Sequence, residues 1–411
     1  MRSRIITGLD IGTKSIKALV VSEKRGSGEF EILTRVKMPN SGMRRGVIDN
    51  VERVSQNISD TLDKIQEKIG RRINKVNVNI GGSHIFLTSS KGSVAISRVD
   101  HNISQEDVER SIQAAKAFPL PVNMKVIDCF EKRHIVDGGE GVKDPVGMTG
   151  IKLESEIFSI GVFYLYYKNL ADVCSNADIN QISNVICNPV ASSESCLTSQ
   201  QKELGVVLLD IGARTTDLAI YKEGDLCHLH VIPIGSGNIT DDIAIALKID
   251  VDIAEKIKKE FGHCIRSRGG KSLKKKEKEK KEMPLDFLNF SSQTLTKVIK
   301  ARMFDIFDII GKEIKKSGVG TLPGGVVITG GGSKLPGMVE FAKKELKLPC
   351  KIGVPILKKD GFGEEFIGEA EEDPCFSTAW GLALSSFEDS ESKEKESLIE
   401  KIKKILGIFV P

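Results

Sequence analysis

Several features that would indicate a membrane or secreted protein are missing from this chain. No apolar run approaches the roughly 18 residues that a bilayer-spanning helix needs. The N-terminus leads almost directly into a predicted strand, without the charged and then apolar segment of a secretion signal. Eight cysteines are scattered without a Cys-x-x-Cys pair. We therefore expect reduced, mostly buried thiols and a cytoplasmic protein body.

Neither sign of charge is in large excess, and clusters of metal-binding side chains are scarce. The 60 basic and 56 acidic residues leave a formal net charge of only +4, so no overall positive field would recruit a nucleic acid. Cys227, His228 and His230 have the spacing of possible metal ligands. A strand with alternating faces explains that spacing as well, and no second ligand group accompanies it. We expect no nucleic-acid partner and favour the strand.

A short phrase occurs twice in the 411 residues and indicates a duplicated fold. GLDIGTKSIKALV begins at residue 8 and VVLLDIGARTTDLAIY at residue 206, so that Asp10 aligns with Asp210 and Lys14 with Arg214. In each copy an apolar run, an acid, a glycine turn with hydroxyls and a second apolar run predict two strands joined by a tight hairpin. A chain of this length also predicts two or more domains.

The hairpins carry groups that suit phosphates and a metal ion. Backbone N–H groups of a glycine turn meet an anion, and a carboxylate at a strand end holds Mg²⁺, usually through water. Two facing copies would form a clamp with Asp10 and Asp210 as the metal-binding carboxylates, although turn-stabilising aspartates are the alternative. The candidate residues are Asp10, Gly12, Thr13, Lys14, Ser15 and Lys17 in the first copy, and Asp210, Gly212, Ala213, Arg214, Thr215 and Thr216 in the second.

A third glycine-rich phrase follows a predicted buried strand. Residues 324–338 read GGVVITGGGSKLPGM, with candidate binding residues Gly330, Gly331, Gly332 and Ser333. Glycines have no side chain, so the backbone can lie close against a flat base and ribose. The segment therefore predicts the base-binding side of the same site.

These phrases resemble those of a known group of proteins. Two phosphate hairpins followed by a TGGGS strand-turn are similar to the actin, Hsp70 and sugar-kinase ATPases. The stretches GLDIGTKSIKALVV, ISQEDVERSIQAAKA to DPVGMTGIKLE and VIPIGSGNITDDIA, with a terminal amphipathic helix, narrow the resemblance to the FtsA family of bacterial cell-division proteins. The resemblance covers nearly the whole chain. It implies an α/β, actin-like two-domain fold, with a duplicated mixed β-sheet and flanking helices.

The resemblance and the predicted elements together divide the chain. The first domain core takes residues 1–83 and 164–204, around a relocated small subdomain at 84–163. The second core takes residues 205–233 and 318–386, with a last helix that returns toward the first domain, around a smaller subdomain at 234–317. A flexible tether at 387–396 leads to a membrane-targeting amphipathic helix at 397–411.

The resemblance also implies roles for residues outside the hairpins. Gly235 and Gly237 would lie near the phosphates. Glu255 with Lys258 would face ribose and adenine, although an i, i+3 pair is also typical of a solvated helix face. Asn188 occupies a position where the family commonly has Glu or Gln. An amide can position a water but cannot take its proton, so we expect at most a slow ATPase.

The second hairpin departs from the family pattern. FtsA-like chains usually read DIGGGTTD, whereas Ala213 and Arg214 replace two of these glycines here. If those positions needed a positive φ, the backbone would be strained. Arg214 could instead reach a phosphate. We therefore expect altered phosphate geometry at this turn.

A lysine- and glutamate-rich insertion interrupts the smaller subdomain at residues 266–282. Its GGKS is similar to the end of a Walker A loop, but that motif requires glycine where this chain has Ile265. Alternating lysine and glutamate without apolar anchors predict a solvated loop or a frayed helix. Contact with a nucleic acid or polymer is the less favoured alternative.

The C-terminal segment combines a tether with an amphipathic helix. EDSESKEKES has no hydrophobic residue and cannot bury a core. Beyond it, helical spacing separates an apolar face from a lysine-bearing one. This pattern favours a helix lying in the headgroup region of an anionic membrane over a helix docked on the protein. The predicted membrane-binding residues are Leu398, Ile399, Ile402, Lys403, Lys404, Ile405, Leu406 and Phe409.

Together these features predict an FtsA-like protein that binds ATP with Mg²⁺ between two domains and polymerises head to tail. The resemblance implies that it anchors the tubulin-like FtsZ at the cytoplasmic face of the inner membrane, at the division site, and recruits other division proteins. The alternatives are an ATP-hydrolysing relative of Hsp70 or the sugar kinases, and a membrane-associated adaptor similar to PilM of pilus assembly. We recognise neither a sugar-cleft acid nor a chaperone's substrate domain in the chain.

Overall fold

The computed structural model describes residues 4–23, 30–117, 121–265, 291–358, 364–366 and 373–386. The charged insertion at 266–282, the tether at 387–396 and the predicted membrane helix at 397–411 lie outside the described residues.

The described part of the chain contains both strands and α-helices. The strands, in chain order, are β1 (Arg4–Ile11), β2 (Ser15–Glu23), β3 (Phe30–Pro39), β4 (Met43–Arg44), β5 (Val47–Ile48), β6 (Lys75–Ile80), β7 (Phe86–Ala95), β8 (Met124–Val136), β9 (Gly141–Val142), β10 (Lys152–Phe163), β11 (Gln181–Cys187), β12 (Val206–Ile211), β13 (Thr216–Lys222), β14 (Asp225–Ile232), β15 (Val326–Thr329), β16 (Cys350–Ile352), β17 (Ile356–Lys358) and β18 (Glu364–Phe366). The helices are α1 (Val51–Ile69), α2 (Gln105–Lys116), α3 (Tyr164–Asn176), α4 (Asn188–Cys196), α5 (Ser199–Leu204), α6 (Ser236–Leu247), α7 (Val251–Phe261), α8 (Ser292–Lys316), α9 (Met338–Leu346) and α10 (377–386).

The two copies of the repeated phrase build two sheets with the same strand order. The first sheet is β3-β2-β1-β6-β11 and the second is β14-β13-β12-β15-β16. In each sheet an antiparallel three-stranded meander is extended by two parallel strands. The hairpins align as well, because Asp10 lies opposite Lys17 and Asp210 lies opposite Asp217. This arrangement confirms the predicted α/β fold with a duplicated mixed sheet.

A further sheet, β7-β10-β8-β9, is inserted in the chain between β6 and α3. Helix α2 packs on it and shares a small apolar core with β10. A capping box opens the helix, since Ser104 and Asp107 exchange hydrogen bonds there. The insertion therefore has a small core of its own, whereas Ile160 and Val162 near the end of β10 belong to the larger core that includes the first sheet.

Amphipathic helices cover the two larger sheets. Helix α1 packs its apolar face against the first sheet, and α8 packs its own within the core of the second. Burial of such faces supplies most of the stability of helices in proteins. None of the helices that the structure describes is long and apolar enough to cross a membrane.

Helix α10 joins the end of the described chain to the first sheet. Its Trp380 is buried among side chains of β1 and β2. Asn77 of β6 donates a hydrogen bond to the Leu382 carbonyl over 2.6 Å. The contact between helix and strand is close, because a Cβ atom on Gly8 would lie 2.2 Å from the carbonyl oxygen of Ala379. The helix thus supports the strand that leads into the first hairpin.

Candidate functional site

A cleft of about 560 Å³ lies between the hairpins of the two sheets. The β1–β2 turn, the β12–β13 turn, the helices α6 and α7 and the segment after β15 all contribute to it. Most of the residues proposed from the sequence line the cleft: Asp10, Gly12, Thr13, Lys14, Ser15, Lys17, Asn188, Asp210, Gly212, Ala213, Thr215, Gly237, Glu255, Lys258, Gly330, Gly331 and Gly332. The others, Arg214, Thr216, Gly235 and Ser333, are not part of this lining.

The two hairpin turns contain the same backbone hydrogen bond. The Gly12 N–H donates to the Ser15 carbonyl over 3.2 Å, and the Gly212 N–H donates to the Thr215 carbonyl over 2.9 Å. A Cβ atom on either glycine would lie within 2.9 Å or 3.1 Å, respectively, of the same carbonyl oxygen. A side chain at position 12 would therefore collide with the turn, and one at position 212 would be tightly crowded by it, so that glycine suits both positions.

The expectation of backbone strain at the second turn is wrong. Neither Ala213 nor Arg214 is among the described residues with a positive φ, so the turn accepts side chains at both positions. The guanidinium of Arg214 forms a two-point ion pair with the Asp241 carboxylate and does not line the cleft. Neither position therefore needs the positive φ that favours glycine, and the side chain at position 214 binds Asp241.

Asp10 is buried at the end of β1, where a lysine and an asparagine hold it. Lys17 Nζ lies 2.5 Å from Asp10 Oδ2, and Asn79 Nδ2 donates to Asp10 Oδ1 over 2.9 Å. Burial alone would lower the pKa of Lys17, but the charge and hydrogen bond of Asp10 outweigh it and raise that pKa above its usual value. Lys17 therefore stays protonated and offers a positive charge to an anion in the cleft.

The second hairpin buries two carboxylates, Asp210 and Asp217. Asp210 Oδ2 accepts hydrogen bonds from Ser192 Oγ at 2.6 Å and from Thr378 Oγ1 at 3.1 Å. Asp217 Oδ2 accepts from Asn188 Nδ2, whereas its Oδ1 is buried without a hydrogen-bond partner. Burial raises the pKa of both carboxyl groups, and the neighbouring Asp210 charge raises that of Asp217 further. A bound cation or water would satisfy the unpaired oxygen.

Asn188 connects the two hairpins. Its Oδ1 accepts a hydrogen bond from Asn79 Nδ2 over 2.9 Å, and its Nδ2 donates to Asp217 over 3.1 Å. Because Asn79 also binds Asp10, a chain of polar contacts runs from the first hairpin to the second. Both ends of the Asn188 amide are therefore engaged by the protein.

Helix α6 begins directly against the second turn. A Cβ atom on Gly235 would lie 2.7 Å from the Gly212 carbonyl oxygen, and one on Gly237 would lie 2.6 Å from that of Ala213. Thr216 Oγ1 donates to the backbone carbonyl just before the helix over 2.8 Å. Gly235 and Thr216 therefore help to hold α6 against the turn. Of these three residues, Gly237 alone lines the cleft.

Glu255 and Lys258 form an ion pair on α7, in which Lys258 is buried and Glu255 is partly buried. Lys258 Nζ lies 2.8 Å from Glu255 Oε2 and donates to Thr240 Oγ1 at 2.8 Å and to the Ser236 carbonyl at 3.0 Å. Lys258 is buried, so a solvated helix face does not describe this pair. Burial would raise the pKa of Glu255, but the hydrogen bond and charge of Lys258 outweigh it and lower that pKa to about 2. The ionised pair links α7 to α6.

The glycines after β15 pack on the second hairpin. Gly330 has a φ of +81°, and a Cβ atom there would lie 2.1 Å from Asp210 Oδ1. A Cβ atom on Gly332 would lie 2.4 Å from Ile211 Cγ2. Ser333 Oγ donates back to the Gly330 carbonyl over 2.7 Å and closes the turn. Gly330 and Gly332 thus leave no room for a side chain against β12, the strand that carries Asp210, and both also line the cleft.

Sequence reasoning missed several residues that complete the site. Asn79 interrupts the apolar run of β6, and Asp217 directly precedes that of β13; a polar side chain at such a position was the available signal. Nothing in the local sequence distinguished the rest. The missed residues are Lys37, Asn79, Ser192, Asp217, Lys259 and Thr378.

Across the described ranges, no group of three or more His, Cys, Asp or Glu side chains is arranged to hold a metal ion directly. His228 and His230 lie on β14, in agreement with the predicted strand. His228 Nε2 lies 3.1 Å from Glu313 Oε2 of α8. Since the described residues contain no such group, a metal ion in the cleft would be held through water and a ligand as well as through protein carboxylates.

The fold and the cleft together define an actin-like protein. A solved PilM–PilN type IV pilus biogenesis complex is similar, with a TM-score of 0.63 at 16% identity over 92% of this chain and 98% of that one. MreB5 of Spiroplasma citri bound to ADP is similar with a TM-score of 0.52 at 14% identity, over 96% of this chain and 98% of that one. Likeness at such low identity shows the fold alone.

The family follows from sequence similarity. Residues 207–381 match the family model of the cell division protein FtsA, and residues 82–160 match that of the SHS2 domain inserted in FtsA. FtsA of Pseudomonas aeruginosa is 33% identical over 93% of this chain and 89% of its own. FtsA of Borreliella burgdorferi is 32% identical over 98% of this chain and 96% of its own. The chain belongs to the FtsA family of cell-division proteins, which confirms the resemblance predicted from its sequence.

Proposed function

We propose that this chain is a division protein that binds ATP with Mg²⁺ in the cleft between its two sheets. The observation that carries the proposal is the pair of facing hairpins, which bring Asp10 and Asp210 to one cleft beside two glycine turns. Turn N–H groups suit phosphates, and carboxylates suit a hydrated divalent cation. The solved structures of Spiroplasma citri MreB5 with ADP and with AMPPNP, which have a similar fold, support the choice of an adenine nucleotide.

The buried carboxyl groups of the cleft favour a cation beside the phosphates. Asp10, Asp210 and Asp217 are all buried, and the ion pair with Lys17 compensates the first of them. Oδ1 of Asp217 has no hydrogen-bond partner, and burying such a group without one is costly. Asp10 and Asp210 would hold Mg²⁺ through its water molecules, and the ion would neutralise phosphate charge.

The remainder of the cleft suits the ribose and base. Its volume of about 560 Å³ falls within the range of small-molecule sites. The Glu255–Lys258 pair and the glycines 330–332 line it beyond the hairpins. Leu335 and Pro336 add an apolar surface that a flat base can contact.

We expect ATP to act mainly as a clamp that sets the angle between the domains. Asn188 cannot accept a proton, and both ends of its amide are already hydrogen-bonded within the protein. Slow turnover would leave the bound nucleotide as ATP for long periods. The enzyme alternative, with ATP hydrolysis as the main task, requires a proton acceptor that this position does not supply.

The bound nucleotide would favour a head-to-tail filament of this chain. Membership of a cell-division family supports FtsZ and other division proteins as its partners. The predicted helix at 397–411 would then attach the filament, and with it FtsZ, peripherally to the cytoplasmic face of the inner membrane at the division site. Many weak helices in one polymer would together bind the membrane tightly.

Isothermal titration calorimetry of the full-length protein tests the nucleotide proposal. We expect one ATP to bind per chain, and we expect removal of Mg²⁺ by a chelator to weaken that binding. GTP provides the comparison for base selectivity. Absence of ATP binding in the presence of Mg²⁺ would overturn the proposal.

A further inference from the structure

The two copies of the hairpin use one equivalent position in different ways. Lys14 is exposed in the first turn and lines the cleft. Arg214, at the same position of the second turn, forms a two-point ion pair with Asp241 of α6, and its Nη2 lies 3.0 Å from Asp241 Oδ1. A guanidinium matched to a carboxylate in this manner fixes orientation as well as distance. Arg214 therefore links the second turn to α6, whereas Lys14, at the equivalent position of the first turn, lines the cleft.

Asp241 lies next to residues that serve another part of the cleft. Its neighbour Thr240 donates a hydrogen bond to Glu255 over 2.5 Å and accepts one from Lys258 over 2.8 Å. Glu255 and Lys258 line the cleft from α7. Two consecutive residues of α6 thus contact the second turn on one side and the α7 pair on the other.

We infer that Arg214 and Asp241 are positioning residues that couple the second turn to the α7 side of the nucleotide site. The inference rests on the proposed binding of ATP in this cleft. A nucleotide that contacts both the turn and the Glu255–Lys258 pair needs them at a fixed separation. The ion pair holds that separation before binding, so less conformational freedom is lost when the ligand arrives. Loss of the pair should therefore speed nucleotide release.

The next residue of α6 supplies a matched control. Asp242 forms a two-point ion pair with Arg302 of α8, with distances of 2.6 Å and 2.9 Å. Exposure is similar in the two pairs, at 28% and 33% for the Arg214 and Asp241 side chains and 28% and 25% for those of Arg302 and Asp242. The control pair joins α6 to α8, and neither of its members lines the cleft. A general loss of stability would follow from breaking either pair.

Stopped-flow displacement of a fluorescent ATP analogue from the full-length protein, with Mg²⁺ present, provides the test. We expect Asp241→Asn to raise the dissociation rate at least roughly fivefold, the lower end of typical couplings between sites. Asp242→Asn should change that rate by less than about twofold. Arg214→Gln removes the same contact from the other side and should match Asp241→Asn. The double variant Arg214→Asp with Asp241→Arg should restore much of the wild-type rate because it re-forms the pair in reverse.

The outcomes separate a positioning role from the alternatives. Equal rates for Asp241→Asn and Asp242→Asn would overturn the inference, because the effect would then be one of general stability. A much larger effect of Arg214→Gln than of Asp241→Asn would also overturn it, because Arg214 would then bind phosphate directly. Absence of binding by the wild-type protein would overturn the proposed function together with the inference. Normal wild-type binding with an unaffected Asp241→Asn would overturn the inference alone.

Discussion

Asn188 and Asp217 join the two halves of the cleft, with a hydrogen bond of 3.1 Å from Asn188 Nδ2 to Asp217 Oδ2. Asn188 begins α4, which follows the last strand of the first sheet, whereas Asp217 lies on β13 of the second sheet. On its other side the Asn188 amide accepts a hydrogen bond from Asn79 of the first sheet. This link depends on the separation of the hairpins, and the amide therefore contributes to the closed arrangement of the two sheets.

Replacing Asn188 by alanine should destabilise the protein. The change removes the hydrogen bond to Asp217, whose other carboxylate oxygen already lacks a partner, and it deprives Asn79 of an acceptor. Loss of such buried partners costs about 1–3 kcal/mol. Urea unfolding of the nucleotide-free protein measures the difference. Asn102→Ala, at an exposed asparagine of the inserted subdomain, should cost less than about 0.5 kcal/mol; equal losses for the two variants would contradict the prediction.

Asp210→Asn should weaken the binding of ATP with Mg²⁺ at least roughly tenfold, which corresponds to about 1.4 kcal/mol. The substitution keeps the shape of the side chain but removes the charge that would hold the hydrated ion. Calorimetry with Mg²⁺ and with a chelator should show the larger loss when Mg²⁺ is present. Asp178→Asn, at a surface aspartate whose side chain is 76% exposed, is the control. An unchanged affinity would show that Asp210 only stabilises its turn.

Steady-state ATP turnover should be slow, below about one per second, the lower end of the range of dedicated enzymes. The physical reason is the engaged Asn188 amide, which has no proton-accepting group to offer an attacking water. Phosphate release measured with purified protein checks this rate, and Asp210→Asn provides the background from contaminating ATPases. A turnover well above this value that is lost in Asp210→Asn would favour the enzyme alternative.

The Glu255–Lys258 pair predicts a specific acid sensitivity. In the folded protein Lys258 holds the pKa of Glu255 at about 2, below its ordinary value of 4.5. The unfolded chain therefore binds this proton more readily, and the pair stabilises the fold fully above about pH 4.5 and progressively less toward pH 2. The contribution should be about 1–2 kcal/mol after allowance for solvent screening of a partly exposed pair.

Comparison of the wild-type protein with Glu255→Gln isolates this contribution. The difference in free energy of unfolding between the two should be largest near about pH 6 and should narrow by about pH 3. Denaturant unfolding at both pH values measures it, and other acid-sensitive groups cancel in the comparison. A gap that is constant across this range would mean that the carboxylate is not paired in the folded protein.

The hairpins were predictable because their information is local. Asp10 and Asp210 each end an apolar run and precede a glycine turn, and both copies form the expected antiparallel pairs. The Asn188 link was not predictable, because one of its partners, Asn79, is 109 residues away in the chain. Only the pairing of β6 with β11 brings the two asparagines together.

Arg214 and Lys258 also show that the contacts of a single side chain could not be predicted from the local sequence. Arg214 aligns with Lys14 and has similar chemistry, so both residues had the same predicted role at a phosphate. What separates them is Asp241, which the fold places beside one turn only. The spacing of Lys258 fitted a solvated helix face equally well, but in the fold Lys258 is buried and donates a hydrogen bond to Thr240 of the adjacent helix. Local patterns therefore predicted the elements, whereas the partners depended on tertiary contacts.

Membrane attachment is predicted to depend on residues 398–410. Each CH₂ group of the apolar face that enters the interface contributes about 0.8 kcal/mol. Lys401, Lys403 and Lys404 add about 1 kcal/mol each near anionic lipid. One short helix of this kind binds reversibly, so assembly into a filament should strengthen attachment greatly.

Deleting the chain from Ser397 onward should abolish co-sedimentation with anionic vesicles and leave ATP binding unchanged, because the described residues that line the cleft all precede the deletion. Ile402→Glu should have nearly the same effect, since it places a charge on the apolar face. Gly407→Glu adds the same charge to the polar face and should retain most of the binding. Raised salt should weaken attachment of the intact protein without eliminating it, because salt screens the lysines but not the apolar contribution. A truncated protein that still sediments with vesicles would locate the membrane contact elsewhere in the chain.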